Sequence, residues 1–355
     1  MAIRVIAFIV AICCTASLHA QKKDPYKNVD NDVRLGAMRH AQVWIPVNVA
    51  SMDIRTGPTD VTSYAPGADV TCDYDEEKLT GTPKFNCVIP PNDKVRVKYG
   101  AKNGEVPAEV AATRLLWALG FGADRVYPVT VVCKGCPEDP IKNDKKVDGT
   151  RTFAPAVIER KMPGDEIQLF KDSGWSWVEL TFIDQTAGGA PLEHRDALKL
   201  LAALIQHTDT KPQQQRLTCL DKSKGLARAE DGTCAHPFMM INDVGKTFGT
   251  ASMFNNDSKS AVNFKEWSGT PVWKDDTGCV AQLSKSMTGS LEHPKISEPG
   301  RKFLSGLLSQ LSDRQLRDLF DVAQFSKRDP GASVDDWVAA FKKKRDDIAS
   351  RTCPA

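Results

Sequence analysis

The sequence predicts an α+β fold of two lobes, the first rich in β-strands around one key helix and the second mainly helical. Three observations lead there. Short runs of β-forming residues separated by Gly and Pro turns fill much of residues 43 to 100. One helical stretch follows at 104 to 122, and from residue 193 onward apolar residues recur mostly at helical spacing. A chain of 355 residues is long enough for two such units, each with a real core.

The first segment, MAIRVIAFIVAICCTASLHAQ, has one Arg, an apolar run from Val5 to Cys14, then small residues. That is the pattern of a secretory signal peptide over residues 1 to 20, cut between Ala16 and Ala20. The run is short for a membrane anchor, and Ile12 is a poor residue before a lipid-anchored Cys13. The mature chain is therefore expected to be exported, periplasmic or extracellular, with no transmembrane helix. The full sequence, 41% hydrophobic and 26% charged with a formal charge of +2, carries no nucleic-acid footprint. Eight cysteines remain after Cys13 and Cys14, an even number that suits disulfides in an exported protein. Near-neighbour pairing joins Cys72 to Cys87, Cys133 to Cys136, Cys219 to Cys234 and Cys279 to Cys353. Zinc is the rival reading, weakened because CKGC is the only close pair; a thioredoxin-type redox pair there lacks a following βαβ pattern.

The first lobe is taken as 21 to 158 and the second as 159 to 355. Residues 21 to 40 read as polar and loose. VWIPVNVASMDI (43 to 54) and FNCVI (85 to 89) read as strands, and GTPK (81 to 84) falls in the turn before the second. KVRVKYG (94 to 100) alternates, with Val95 and Val97 on one face and Lys94, Arg96 and Lys98 on the other. In the helix at 104 to 122, Pro107 suits the first turn and Gly120 or Gly122 the end. Glu105 and Glu109 continue its apolar stripe of Ala112 and Leu116, and a carboxylate on an inward edge needs a partner. RVYPVTVVC (125 to 133) reads as a buried strand, and FAPAVIERKMPGD (153 to 165) as a strand ending in a turn.

In the second lobe, EHRDALKLLAALIQH is an amphipathic helix, and RLTCL and PFMMIND are short strands around a turn-rich insert. Residues 250 to 300 are loop-rich. RKFLSGLLSQL, SDRQLRDLFDVAQF and SVDDWVAAFKKKRDDIASR are closing helices, two of them opened by capping boxes, Ser312 to Gln315 and Ser333 to Asp336.

Between helix and strand lies HTDTKPQQ (207 to 214), and the next strand ends in Asn242-Asp243-Val244-Gly245. Acids at two such loop positions suit phosphoryl transfer, which needs one carboxylate to orient a hydroxyl, another on a metal, and cations on the phosphates. HTDTKPQQ resembles the H-R-D-L-K-P-E-N catalytic loop of the protein-kinase-like superfamily, and Asp243-Val244-Gly245 resembles its D-F-G. GTPK is similar to the phosphate loop of HipA-type toxin kinases, one residue shorter. AEVAATRLLWALGFGADRVYPV is similar to the helix-strand region of secreted casein-kinase-like enzymes.

The resemblance implies a two-lobed kinase-like fold that binds ATP with Mg or Mn. It implies Asp209 and Lys211 as catalytic residues, and Asp243 and Gln214 as metal ligands. Lys98, held by Glu109, would take the phosphates with Gly81 and Lys84, and Glu159 would open the connector beside adenine. The acceptor (protein, lipid or sugar) is not implied. Thr208 and Gln214 depart from the family's Arg and Asn, so a catalytically inactive scaffold is an alternative; transfer of a nucleotidyl group and an unrelated disulfide-rich envelope protein are two more. The last requires Lys98 and Glu109 to lie far apart. His207 is expected to brace the loop by hydrogen bonds, not to act as a base.

Overall fold

A computed structural model describes residues 31–167, 174–227, 233–249, 261–275 and 278–354; the expected signal segment lies outside them. The chain is a mixed α+β structure, sheet-rich first and helical later. It opens with α1 (Asn31–His40), where a loose segment was expected. The helix forms because Met38 and Ala41 enter the core and Arg34, itself buried, reaches Glu179 at 3.0 Å and the carbonyl of Gly174 at 2.8 Å. Residues 43 to 54 do not form the expected strand. Trp44 makes a single bridge to Phe121 and donates its indole N–H to the carbonyl of Leu119 at 2.8 Å. Pro46 lacks the N–H a ladder needs, and a 3₁₀ turn follows at Val49–Ser51.

Five strands then close a barrel: β1 (Asp69–Asp75), β2 (Lys84–Ile89), β3 (Asp93–Tyr99), β4 (Arg125–Lys134) and β5 (Thr150–Arg160), in the order β1-β2-β3-β5-β4. The seam is parallel, with Asp69 to Asp73 opposite Thr130 to Lys134. Tyr74, Phe85, Val97, Tyr127, Val131 and Phe153 belong to its core. Disulfides Cys72–Cys87 and Cys133–Cys136 lie in the same core, their nearest sulfurs 3.9 Å apart.

Helix α2 (Glu105–Ala118) packs against β4 and is buried on nearly every side, so its Glu105, Glu109 and Arg114 side chains must find partners inside the protein. Arg114 is fully covered and serves the carbonyls of Ile54 and Val126, at 3.0 and 2.6 Å. A second sheet, β6 (Asp165–Glu166), β7 (Gln215–Cys219) and β8 (Pro237–Ile241), runs in sequence order. Cys219–Cys234 ties the end of β7 to the approach to β8.

The helical part contains α3 (Leu192–Leu204), α4 (Phe264–Gly269), α5 (Glu298–Leu308), α6 (Asp313–Val322), α7 (Phe325–Arg328) and α8 (Val334–Ser350). Both expected capping boxes form, at Ser312 with Gln315 and at Ser333 with Asp336. Phe248, Trp267, Phe320, Phe325, Trp337 and Phe341 pack as one ring cluster in its core. Cys279–Cys353 pins the loop-rich stretch to the end of α8. Among the described residues, no helix is long and apolar enough to cross a membrane.

Candidate active site

Lys98 belongs to the polar face of β3, but Lys94 and Arg96 on that face are exposed while Lys98 is 2% exposed. The difference is α2, which crosses that end of the strand and brings Glu105 and Glu109, one turn apart, over the amine. Lys98 Nζ is paired with Glu109 Oε1, lies 3.2 Å from Glu105 Oε2 and 3.0 Å from Glu159 Oε1, and has Asp243 Oδ2 at 3.8 Å. The reading that required Lys98 and Glu109 to be far apart therefore fails. Glu159 differs from its expected place: it sits inside β5, opposite Arg96 and Val126, and its carboxylate turns to Lys98 instead of standing beside an outer connector.

Four carboxylates around one ammonium make a cluster with an excess of negative charge. Burial lowers the affinity of Lys98 for its proton, but Asp243, Glu109, Glu159 and Glu105 together hold its pKa well above the usual lysine value. The acids divide. Burial raises Glu109 well above the ordinary range, Lys98 pulls it back, and the neighbouring carboxylates push it further up; its second oxygen is buried with no hydrogen-bond partner. Asp243 goes the other way, to about 2: burial raises it, but Lys98, the N–H of Gly245 at 3.1 Å, and Lys84 outweigh that. A third of the Asp243 side chain remains open, whereas Glu109 is sealed.

The turn carrying Gly81 bends at φ +93°, and a Cβ there would lie 3.7 Å from Lys84 Nζ. Thr82 Oγ1 donates to Glu105 Oε2 at 2.7 Å, so the turn rests on the start of α2. Glu105 also packs over the Asp243 loop: a Cβ on Gly245 would come within 2.7 Å of its Cγ.

Residues 205 to 210 leave α3 and run beside 246 to 248. Thr208 N–H donates to the carbonyl of Lys246 at 3.2 Å, and Phe248 N–H to that of Ile205 at 2.7 Å. Asp209 thereby comes next to the Asp243 loop. Its Oδ2 accepts from Gln214 Nε2 at 3.0 Å and lies 3.3 Å from Lys211 Nζ and 3.5 Å from Lys246 Nζ. A carboxylate only accepts, so Gln214 must point its amide nitrogen at Asp209 and keep its amide oxygen for another partner. The Gln214 carbonyl accepts the N–H of Asn242 and of Asp243, at 2.9 and 3.3 Å, so this residue joins the two acid loops. Burial raises the Asp209 carboxyl, but Gln214, Lys246 and Lys211 bring it below the usual carboxylate value.

His207 is fully buried, yet neither ring nitrogen has a hydrogen-bond partner, contrary to the bracing bonds expected of it. It fills space near Trp177, ring centroids 6.4 Å apart, and burial lowers its pKa to about 4. Asp124, raised to about 6 by burial, accepts the N–H of Met162 at 2.9 Å and faces Arg216 at 3.3 Å, fixing the exit from β5.

The structure thus brings Lys98, Glu109, Glu159 and Asp243 into one cluster and joins Asp209, Lys211 and Gln214 to it through the paired loops, with Gly81 and Lys84 above. Sequence reasoning did not assign Glu105 or Lys246 to the site. The four-residue spacing of Glu105 and Glu109 carried a signal for the first; nothing in the local pattern marked the second.

Neither a family model nor a curated protein matches the chain. Among solved structures, the Helicobacter pylori proinflammatory kinase CtkA is similar over 80% of this chain and 95% of its own, at 11% identity and a TM-score of 0.38. A likeness that low carries no weight in assigning the fold or the activity.

Proposed function

We propose that the chain is an exported ATP-dependent phosphotransferase of an atypical kinase-like type, with lobes divided near residue 159. The observation that carries the reading is the Lys98–Glu109 pair meeting Asp243, while Gln214 links Asp243 to Asp209. The order of those residues along the sequence, with the motifs they stand in, supports it independently.

In this reading Lys98 and Lys84 neutralise phosphate oxygens and α2 holds Lys98 in place through Glu109. Asp243 and the free amide oxygen of Gln214 are hard oxygen donors of the kind Mg or Mn takes, and the surplus of carboxylates fits a divalent cation. Such an ion would offset charge on the β and γ phosphates. Asp209 orients the acceptor hydroxyl, with Lys211 and Lys246 beside the group in transit. Export agrees with the four disulfides, which persist in oxidising compartments.

Incubation with ATP labelled at the α or γ position, with Mg or Mn, tests the proposal. Transfer of the γ label, reduced at least about 100-fold in Asp209→Asn and Asp243→Ala, is expected; transfer of the α label would instead mean nucleotidyl chemistry. A second reading, an inactive binding module, is favoured by one feature: Lys98 is already surrounded by carboxylates. Nucleotide binding without transfer of either label would establish it.

A further inference from the structure

The two oxygens of Asp209 do different things. Oδ2 faces the amide of Gln214 and the amines of Lys211 and Lys246, whereas Oδ1 accepts a hydroxyl, that of Ser286, at 3.4 Å. A carboxylate that orients an acceptor alcohol needs one oxygen fixed by the site and the other turned to the alcohol. Ser286 stands where that alcohol would stand.

Its position is set by the backbone. Ser286 N–H donates to the carbonyl of Thr208 at 2.8 Å. Four residues on, Ser290 N–H lies 3.0 Å from Thr210 Oγ1, and Ser290 Oγ donates to the carbonyl of Thr210 at 2.7 Å. Residues 286 to 290 therefore strap the catalytic-loop candidate on both sides of Asp209. Between the anchors Met287 is 94% exposed and Thr288 is exposed, while Gly289 is buried against Thr210. A polar pocket of about 190 Å³, lined in part by Gln206, Thr208, Gln282, Ser284, Lys285 and Ser286, adjoins it. Ser286 itself is only half-buried.

We propose that Ser286 is an intramolecular phosphoryl acceptor, held at Asp209 by its strap in the manner of a built-in serine substrate. This rests on the phosphotransferase reading above. In the step, Ser286 Oγ bonds to the γ phosphorus of a bound nucleoside triphosphate. The bond from that phosphorus to the β–γ bridging oxygen breaks, and the nucleoside diphosphate leaves with the electron pair. The hydroxyl proton passes to Asp209 Oδ1 and from there to solvent. The product is a phosphate with a charge near −2 placed against the Asp209 carboxylate, with Lys285 next to it in the chain.

Peptide mapping by mass spectrometry after incubation with ATP and Mn tests this, with nucleotide binding measured in parallel. One phosphate on Ser286 is expected, appearing at a rate independent of protein concentration. Ser286→Ala should lose it and Ser286→Thr should retain part of it. A wild-type chain that binds ATP but leaves Ser286 unmodified overturns the inference and leaves the site reading intact. So does phosphate on Ser284, Thr288 or Ser290 instead, or a rate that rises with protein concentration. A chain that binds no nucleotide removes the proposed function, and this inference with it.

Discussion

Replacing Lys98 by Met takes the ammonium away from a sealed acid. Lys98 and Glu109 have side chains 3% and 2% exposed, so water cannot replace the lost partner. Glu105, Glu159 and Asp243, at 10%, 18% and 32%, are better placed to rehydrate. The cost therefore centres on Glu109, and breaking a buried pair from one side costs about 3–5 kcal/mol. The cost also depends on pH. In the variant the folded pKa of Glu109 is raised above its unfolded value, so the destabilisation is full in neutral solution and relieved as the pH falls and the acid takes up a proton. Urea unfolding at pH 8 and pH 5 should show the larger loss at pH 8. Glu109→Gln added to Lys98→Met should restore about 2–3 kcal/mol, because it removes the stranded charge. A Lys98→Met loss under about 1 kcal/mol, or a double variant whose loss equals the sum of the two singles, would refute the pairing as the element that fixes α2 to β3.

Other expectations follow from single contacts. His207 is neutral when folded, with a pKa lowered from 6.5 to about 4, while the unfolded chain takes a proton near 6.5. Its contribution is therefore complete above that value and lost as pH falls to 4, about 3 kcal/mol in all; His207→Phe should flatten the stability curve across that interval in denaturant titrations. Breaking Cys219–Cys234 by double Ser substitution frees a loop with a sequence separation of 15 and should cost roughly 3 kcal/mol by urea unfolding, while ATP binding persists. Gly245→Ala drives a methyl group to within 2.7 Å of Glu105 Cγ, and should weaken metal-dependent ATP binding, read by calorimetry, more than it lowers thermal stability.

Much of the second half was legible because helical periodicity and capping boxes are local signals. Ser312–Gln315 and Ser333–Asp336 satisfy helix-start N–H groups whatever packs nearby. The disulfide pairs were legible for a similar reason, since neighbouring strands bring near-neighbour cysteines together. Helix α1 was not, because Arg34 is held by Glu179 and Gly174, far along the chain. Residues 43 to 54 misled in the opposite sense: Val43, Val49 and Ile54 are buried and Trp44 bonds to the end of α2, while Ile45 stays exposed, and no neighbouring strand pairs with the run.

In the site, the inward spacing of Glu105 and Glu109 foretold a partner, and the motif order pointed to Asp209 and Asp243. The inward turn of Glu159 could not be read, since it depends on barrel register: Glu159 faces Arg96 on one side and Val126 on the other, and only closure points it at Lys98. The parallel seam between β1 and β4 is likewise a long-range pairing with no local sequence mark.

Calorimetric titration with Mn and a non-hydrolysable ATP analogue compares the wild type with Asp243→Ala and Asp209→Asn. Saturable, manganese-dependent binding is expected in the wild type, kept within about threefold in Asp209→Asn and weakened at least about 30-fold in Asp243→Ala, a difference of roughly 2 kcal/mol. Equal binding by all three proteins, or heat of binding that does not depend on manganese, would contradict a phosphate-and-metal cleft built on Lys98 and Asp243.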